Sequence, residues 1–127
     1  MTKKILIVDD DKSIRYLLSE SLANAGYHVF EAEDGEEAMR LIRSKKPNLI
    51  ILDIVMPKMH GYEVCGQIRS DADPEIAKAK IIIMSVKGYP VDIKAAKKAG
   101  ADKYIVKPSS VNTLLTAIKE LLETPVS

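Results

Sequence analysis

The sequence contains a single cysteine, Cys65, among its 127 residues, so the chain can form no internal disulfide bond. This composition suits a protein of a reducing compartment. A lone cysteine between Val64 and Gly66 is interpreted as a small, partly buried apolar residue.

Long apolar runs are also missing. No stretch approaches the ~20 apolar residues that a membrane-spanning helix requires. At the N-terminus, only residues 5–8 form an apolar run before three consecutive aspartates, and a signal peptide needs a longer one. We therefore expect a cytoplasmic protein with no membrane partner.

The chain carries almost no net charge. Its formal charge is +1 and its isoelectric point is about 7.8, whereas a dedicated nucleic-acid binder shows a basic domain or stripe. Direct nucleic-acid binding is therefore not expected. Hydrophobic residues make up 46%, enough for the core of one domain of ordinary size. We expect that domain to cover residues 1–124, with residues 125–127 as a tail or linker stub.

Five short apolar runs are present, and four of them are nearly continuous in apolar character. They occupy residues 5–8, 29–30, 49–52, 81–84 and 104–106. Continuous apolar strands are typical of parallel sheets whose two faces are both covered.

Helical patterns separate these runs. The five predicted helices are centred on residues 14–22, 38–42, 62–70, 91–99 and 111–122. Asp11 is a candidate N-cap of the first helix, and Gly26 follows its end. Residues 71–80 are predicted to form a loop. Five strand–helix pairs indicate an α/β fold with three layers, in which helices cover both faces of a parallel sheet.

Polar residues follow four of the five predicted strands. Asp9, Asp10 and Asp11 follow the first strand, Asp53 the third, Ser85 the fourth, and Lys107 with Pro108 the fifth. The carboxyl ends of parallel strands meet at one edge of a sheet, where ligands bind. We therefore expect these side chains to lie together.

Clustered carboxylates repel one another and call for a cation. Mg²⁺ prefers oxygen ligands and keeps several waters, so Asp10 and Asp53 are candidate direct ligands, with Asp9 acting through water. Asp53 is then the candidate nucleophile towards a phosphoryl group. Ser85 and Lys107 are placed to contact phosphoryl oxygens, and catalysis would rest on positioning and charge stabilisation.

Each of these residues has an ordinary interpretation when taken alone. Asp9–Asp11 could cap a helix, Asp53 could belong to a turn, and Ser85 and Lys107 could be a satisfied hydroxyl and a solvated lysine. Their joint placement at the strand ends favours a functional site.

The chain resembles the receiver domain of bacterial two-component response regulators over essentially its whole length. The matching segments are residues 5–10 (ILIVDD), residues 53–61 (DIVMPKMHG), Ser85 and residues 100–108 (GADKYIVKP). The resemblance implies a flavodoxin-like (βα)5 fold with strand order 2-1-3-4-5. It also implies phosphotransfer to Asp53 from a sensor histidine kinase or phosphotransfer protein. Mg²⁺ would be held by Asp9, Asp10, Asp53 and the backbone carbonyl of Val55.

The resemblance further implies a switch. Ser85 and Tyr104 would change position on phosphorylation, beside a cis peptide bond between Lys107 and Pro108. The surface of the fourth helix, fifth strand and fifth helix would then change its affinity for a downstream protein target or effector domain. The protein would be a monomer or a phosphorylation-dependent dimer.

Two positions near the site depart from the pattern common in the family, and three positions, Val55, Val86 and Lys87, bear on rates. Family members often carry a small residue where this chain has Val86 and a phenylalanine where it has Ser109. A bulkier Val86 would crowd the phosphoryl group. Val55 and Lys87 occupy positions that tune hydrolysis in the family, and an apolar Val55 predicts a long-lived phosphoryl state.

Three other functions were compared with this one. A degenerate receiver would lack part of the acidic and basic site, which is complete here. An aspartate-nucleophile phosphatase usually has a second acid two residues after its nucleophile, where this chain has Val55. A flavodoxin needs a Ser/Thr/Gly phosphate loop instead of the acidic one. We therefore expect no turnover enzyme, only catalysis of the chain's own phosphorylation and slow autodephosphorylation.

Overall fold

The computed structural model describes residues 2–54, 59–107 and 109–123. Strands and helices alternate along them as β1 Lys4–Val8, α1 Lys12–Asn24, β2 His28–Ala32, α2 Gly35–Lys45, β3 Leu49–Leu52, α3 Gly61–Arg69, α4 Pro74–Ala77, β4 Lys80–Ser85, α5 Pro90–Ala99, β5 Lys103–Val106 and α6 Val111–Glu123. Among these residues, none of the helices combines the length and the apolar character that a membrane span requires.

The five strands form one parallel sheet in the order β2-β1-β3-β4-β5, which confirms the predicted topology. Its register decides which strand ends meet. Val8 of β1 pairs with Leu52 of β3, so the residues that follow them leave the sheet side by side. Ser85 of β4 pairs in the same way with Val106 of β5. The reversal of strand order between β1 and β3 is where a ligand site is expected in such a sheet.

The sheet is covered on both faces, as the continuous apolar runs predicted. Strand residues alternate between a cluster under α2, α3 and α5, which includes Leu6, Ile50 and Ile81, and a cluster under α1 and α6, which includes Ile5, Ile51 and Ile82. All six side chains are at most 2% exposed. Burying an aliphatic side chain of this size stabilises the fold by about 1.5–3 kcal/mol, so the three-layer arrangement follows from the sequence pattern.

The predicted limits of α1 are confirmed. The side chain of Asp11 accepts hydrogen bonds from the backbone N–H groups of Ser13 and Ile14, at 2.9 and 3.3 Å. Beyond the other end, Gly26 has a φ of 99°, a left-handed conformation that glycine adopts without a steric penalty. Both ends of α1 could be predicted because the cap at Asp11 and the turn at Gly26 each involve residues that are close together in the sequence.

The loop predicted over residues 71–80 is wrong in one part, since it contains the single-turn helix α4. Asp73 caps this turn by accepting a hydrogen bond from the Glu75 N–H, and Pro74 occupies its first helical position. Proline is favoured there because its fixed φ suits the helix and no donor is lost. The apolar periodicity used for the longer helices cannot detect an element of four residues.

Candidate functional site

Three carboxylates meet at the carboxyl edge of the sheet. Asp9 and Asp10 follow β1, Asp53 follows β3, and one oxygen from each side chain lies within 4.8 Å of the others. The Asp53 N–H donates to the carbonyl of Val8 at 3.0 Å, which continues the β1–β3 pairing past the strand ends. Asp9 is buried, Asp53 is half-buried and Asp10 is exposed. The sheet register therefore brings the three predicted acids together.

Lys107, which follows the edge strand β5, extends its side chain to this cluster. Its backbone N–H donates to the carbonyl of Ser85 at 2.7 Å, which holds the residue beside the end of β4. Its ammonium group donates to Asp9 Oδ2 at 2.7 Å and lies 3.4 Å from Asp53 Oδ2. The contact with Asp53 is the longer, and so the weaker, of the two.

The lysine stays charged in this position. Burial by itself lowers the pKa of Lys107, but the hydrogen bond to Asp9 and the charges of Asp53 and Asp9 outweigh it. The pKa of Lys107 therefore lies above its usual value, and the side chain is a fixed positive charge next to the Asp53 carboxylate.

The donor set of this cluster fits a hard divalent cation. The ammonium group of Lys107 pairs with two of the three carboxylates, so the cluster keeps an excess of negative charge. Carboxylate oxygens are the ligands that Mg²⁺ prefers, and the exposed Asp10 leaves a side open for the waters that this ion retains. The carbonyl of Val55, the remaining predicted ligand, lies outside the described residues and stays a prediction.

Ser85 closes the same edge at the end of β4. Its side chain is 1% exposed, and its hydroxyl accepts a hydrogen bond of 3.2 Å from the Lys87 N–H. The turn after β4 is thus tied to the residue predicted to contact a phosphoryl oxygen. A hydroxyl that accepts this bond still has its own proton to donate.

Tyr104, the other predicted switch residue, connects β5 to the same turn. Its hydroxyl donates to the backbone carbonyl of Lys87, and its half-buried ring packs against the core cluster under α2, α3 and α5. Burial, assisted by the charges of Asp92 and Asp53, raises the pKa of Tyr104, while a hydrogen bond with Ser85 acts in the opposite direction. Ser85 and Tyr104 are therefore neighbours.

Val86 does not pack into the carboxylate cluster. Its side chain is 75% exposed and lies with Leu17 and Lys107 in an apolar groove of about 360 Å³ between α1 and the start of α6. Crowding of the phosphoryl group by Val86 stays a prediction, and Ser109 lines the same groove.

Arg15 belongs to the site although the sequence analysis did not predict it as a site residue. Its guanidinium donates to the backbone carbonyl of Asp9 at 2.6 Å and pairs with Glu31 at 3.4 Å. The residue anchors the backbone of the acidic turn to α1 and β2. Its position four residues after the cap Asp11 was the available signal, because that spacing returns a side chain to the same side of the helix.

Comparisons with known proteins agree with this geometry. The model of the family "Response regulator receiver domain" matches residues 5–119. The "Probable transcriptional regulator ycf27" of Cyanophora paradoxa is 42% identical over 120 residues, which are 94% of this chain and 48% of that protein. The regulatory protein PhoP of Bacillus subtilis is 39% identical over 122 residues, 96% of this chain and 49% of that protein. The chain spans about half the length of these curated relatives.

The fold also matches solved structures. Chemotaxis response regulator CheY4 of Vibrio cholerae superimposes with a TM-score of 0.89 at 33% identity, covering 96% of this chain and all of that one. This match confirms the predicted flavodoxin-like fold. The family uses Mg²⁺ at an acidic pocket, and it consists of signalling proteins rather than metabolic enzymes. The chain therefore belongs to the response regulator receiver domain family, the phosphorylation-dependent signalling module of two-component systems.

Proposed function

We propose that Asp53 of this receiver domain accepts a phosphoryl group from a sensor histidine kinase or phosphotransfer protein. Response regulators interact with histidine kinases and downstream effectors. The observation that carries the assignment to Asp53 is the placement of Lys107, whose ammonium group lies 3.4 Å from Asp53 Oδ2 while Asp9 holds it at 2.7 Å. Asp53 thus has a neighbouring acid pair for Mg²⁺ and a fixed positive charge for the phosphoryl group.

The reaction is one displacement at phosphorus. A carboxylate oxygen of Asp53 forms the new O–P bond while the N–P bond of the phosphohistidine donor breaks, and the imidazole nitrogen keeps the bonding electrons and takes up a proton. Lys107 and Ser85 stabilise charge on the phosphoryl oxygens. Asp9, Asp10, Asp53 and the Val55 carbonyl would hold Mg²⁺, which would supply further charge neutralisation. The domain catalyses only its own phosphorylation and a slow autodephosphorylation.

The output follows from the residues around the acceptor. Ser85 and Tyr104 both contact the turn that leads into α5, so a phosphoryl group that attracts Ser85 shifts this turn. The surface formed by α5, β5 and α6 then changes its affinity for a downstream protein target or effector domain. The domain acts as a monomer or a phosphorylation-dependent dimer and makes no direct nucleic-acid or membrane contact. Its extent over residues 1–124, the stub at 125–127 and a cytoplasmic location stay predictions.

Intact-mass measurement tests the acceptor. Wild-type protein incubated with Mg²⁺ and a small-molecule phosphodonor should gain one phosphoryl group, Asp53→Ala should gain none, and chelation of Mg²⁺ should abolish the gain. Asp11→Ala is a matched control, because Asp11 belongs to the same acidic turn but only caps α1. It should be phosphorylated normally while losing about 1 kcal/mol of stability. A wild type without the gain, or an equal gain in Asp53→Ala, would refute the proposal.

A further inference from the structure

Few side chains of α5, or of the turn before it, stabilise the start of this helix. Residues 86–91 are all exposed. The N-cap position is occupied by Tyr89, whose side chain makes no capping hydrogen bond in the described part of the chain. The N–H groups of Asp92 and Ile93 donate to the Tyr89 carbonyl, at 2.9 and 3.2 Å. A helix start without a side-chain cap opens more easily than a capped one.

Two tyrosine hydroxyls hold this segment from neighbouring elements. Tyr104 of β5 donates to the carbonyl of Lys87, before the helix. Tyr62 of α3 donates to the carbonyl of Asp92, inside the first turn of the helix, at 3.1 Å. Burial, with Tyr104 and Asp92 nearby, raises the pKa of Tyr62, so its hydroxyl remains a donor at ordinary pH.

Tyr62 is also connected to the backbone of the acceptor. It follows Gly61, whose N–H donates to the carbonyl of Ile54 at 2.8 Å. A Cβ atom placed on Gly61 would lie 2.5 Å from the carbonyl oxygen of Asp53. The first residue of α3 therefore packs directly on the backbone of residues 53 and 54. A displacement of that backbone moves the start of α3 and, with it, Tyr62.

We propose that Tyr62 is a second positioning residue of the switch, which links the backbone beside Asp53 to the first turn of α5 through its hydrogen bond to the Asp92 carbonyl. The inference rests on the proposed phosphorylation of Asp53. It adds a route through α3 to the route through Ser85 and Tyr104, so that the two ends of the exposed turn before α5 are held from opposite sides. Both routes hold the turn before α5 through side chains of neighbouring elements, so neither depends on contacts made by the side chains of the turn itself.

This role has a measurable thermodynamic consequence. A neutral hydrogen bond contributes a free energy that corresponds to roughly a two- to tenfold change in an equilibrium constant. If Tyr62 holds the α5 position that phosphorylation favours, loss of its hydroxyl weakens binding of a phosphoryl analogue by the same factor, because coupling between two sites is reciprocal. A tyrosine that only fills space near the core would leave that affinity unchanged.

The experiment compares wild type, Tyr62→Phe, Tyr104→Phe and the double variant, with Tyr27→Phe as control. Tyr27 is another partly buried tyrosine, but it lies just before β2, at the opposite edge of the sheet. Two quantities are measured: the affinity for beryllofluoride in the presence of Mg²⁺, and amide hydrogen exchange at Asp92 and Ile93. Tyr62→Phe should weaken beryllofluoride binding and speed exchange at both amides, each by roughly two- to tenfold, whereas Tyr27→Phe should change neither.

The double variant tests whether the route through Tyr62 is separate from the route through Tyr104. Separate routes give an effect on affinity equal to the product of the two single effects, and a double variant that binds no more weakly than Tyr104→Phe would overturn the proposed role of Tyr62. Unchanged affinity in Tyr62→Phe, even with reduced stability, would also overturn it. A wild type that gains no phosphoryl group from a phosphodonor would instead refute the function at Asp53, and the inference with it.

Discussion

The ammonium group of Lys107 donates a 2.7 Å hydrogen bond to the carboxylate of Asp9, which lies 98 residues earlier in the chain. Both side chains are nearly buried, with 13% and 6% exposed. Removing two charges from water is costly, and a buried ion pair returns that cost only with good geometry and further hydrogen bonds. Asp9 has such a bond, since its other oxygen accepts from the Asp11 N–H at 2.9 Å. Lys107 therefore acts as the cation of the acidic cluster.

This pairing predicts opposite effects of Lys107→Ala on metal binding and on phosphorylation. Removing the ammonium group leaves the carboxylates without their competing cation, so Mg²⁺ should bind about tenfold more tightly. Phosphorylation from a small-molecule donor should slow by about 100-fold, because the phosphoryl oxygens lose a preorganised charge. Isothermal titration calorimetry and intact-mass time courses measure the two effects.

Lys103→Ala is the control for that variant. Lys103 lies on β5 and pairs with Glu120, whose side chain is 56% exposed. A surface pair of this kind contributes little, so both Mg²⁺ affinity and phosphorylation should stay at wild-type values. Weaker Mg²⁺ binding by Lys107→Ala would show that the lysine supports the metal site instead of competing for it.

The two glycines of α3 should respond oppositely to alanine. A Cβ on Gly61 would lie 2.5 Å from the Asp53 carbonyl oxygen and 2.8 Å from Ile54 Cα, both backbone atoms that must shift, whereas Gly66 has open space around it. Gly61→Ala should lower the free energy of unfolding by about 1–3 kcal/mol and slow phosphorylation of Asp53. Gly66→Ala should raise it by about 0.5–1 kcal/mol, since alanine is the better helix former. Urea denaturation gives both values, and a stable Gly61→Ala variant would contradict the close packing.

Arg69 is expected to make a large contribution to stability for a partly exposed residue. Its guanidinium donates to the carbonyls of Gly100, Ala77 and Ala79 and to the carboxylate of Asp102, at 2.6–2.9 Å. It therefore ties α3 to the ends of α4 and α5. Arg69→Ala should lower the free energy of unfolding by about 2–4 kcal/mol.

Arg40→Ala is the matched control for Arg69→Ala. The side chain of Arg40 is 69% exposed and makes a 3.7 Å pair with Glu37, so its loss should cost less than about 0.5 kcal/mol. Equal costs in the two variants, measured by urea denaturation under the same conditions, would show that the carbonyl contacts of Arg69 contribute nothing.

Cys65 should be unreactive in the folded protein. The residue is fully buried, and desolvation raises the pKa of its thiol from 9.0 to about 11. The thiolate is the reactive form, so alkylation by iodoacetamide at pH 8 should be at least about 100-fold slower than in urea, which mass spectrometry can follow. Rapid modification of the folded protein would show that α3 opens.

The raised pKa of Cys65 also determines whether the free energy of unfolding rises or falls with pH. The folded state keeps the thiol proton to a higher pH than the unfolded state does. The free energy of unfolding should therefore fall as pH rises from 9.0 towards about 11. Cys65→Ala should show a smaller fall over the same interval, measured by urea denaturation at each pH.

Much of the fold could be predicted because its signals are local. Five apolar runs and five helical patterns lie in the order that the structure shows, and Asp11 and Gly26 mark the ends of α1 where expected. The helix that was missed, α4, has four residues, too few to show an apolar period. The candidate site was also predictable in outline, because Ser85 ends one strand of the parallel sheet and four other residues follow its strands: Asp9, Asp10, Asp53 and Lys107.

The sequence by itself determined the fold class and the set of residues at the carboxyl edge, because hydrophobic periodicity and strand-end position are properties of neighbouring residues. The tertiary structure alone decided that Lys107 bonds to Asp9 more closely than to Asp53, that Arg15 holds the Asp9 carbonyl, and that Tyr62 reaches α5. These contacts depend on the sheet register and on how helices pack across it. No period in the sequence encodes which side chain of one element meets which carbonyl of another.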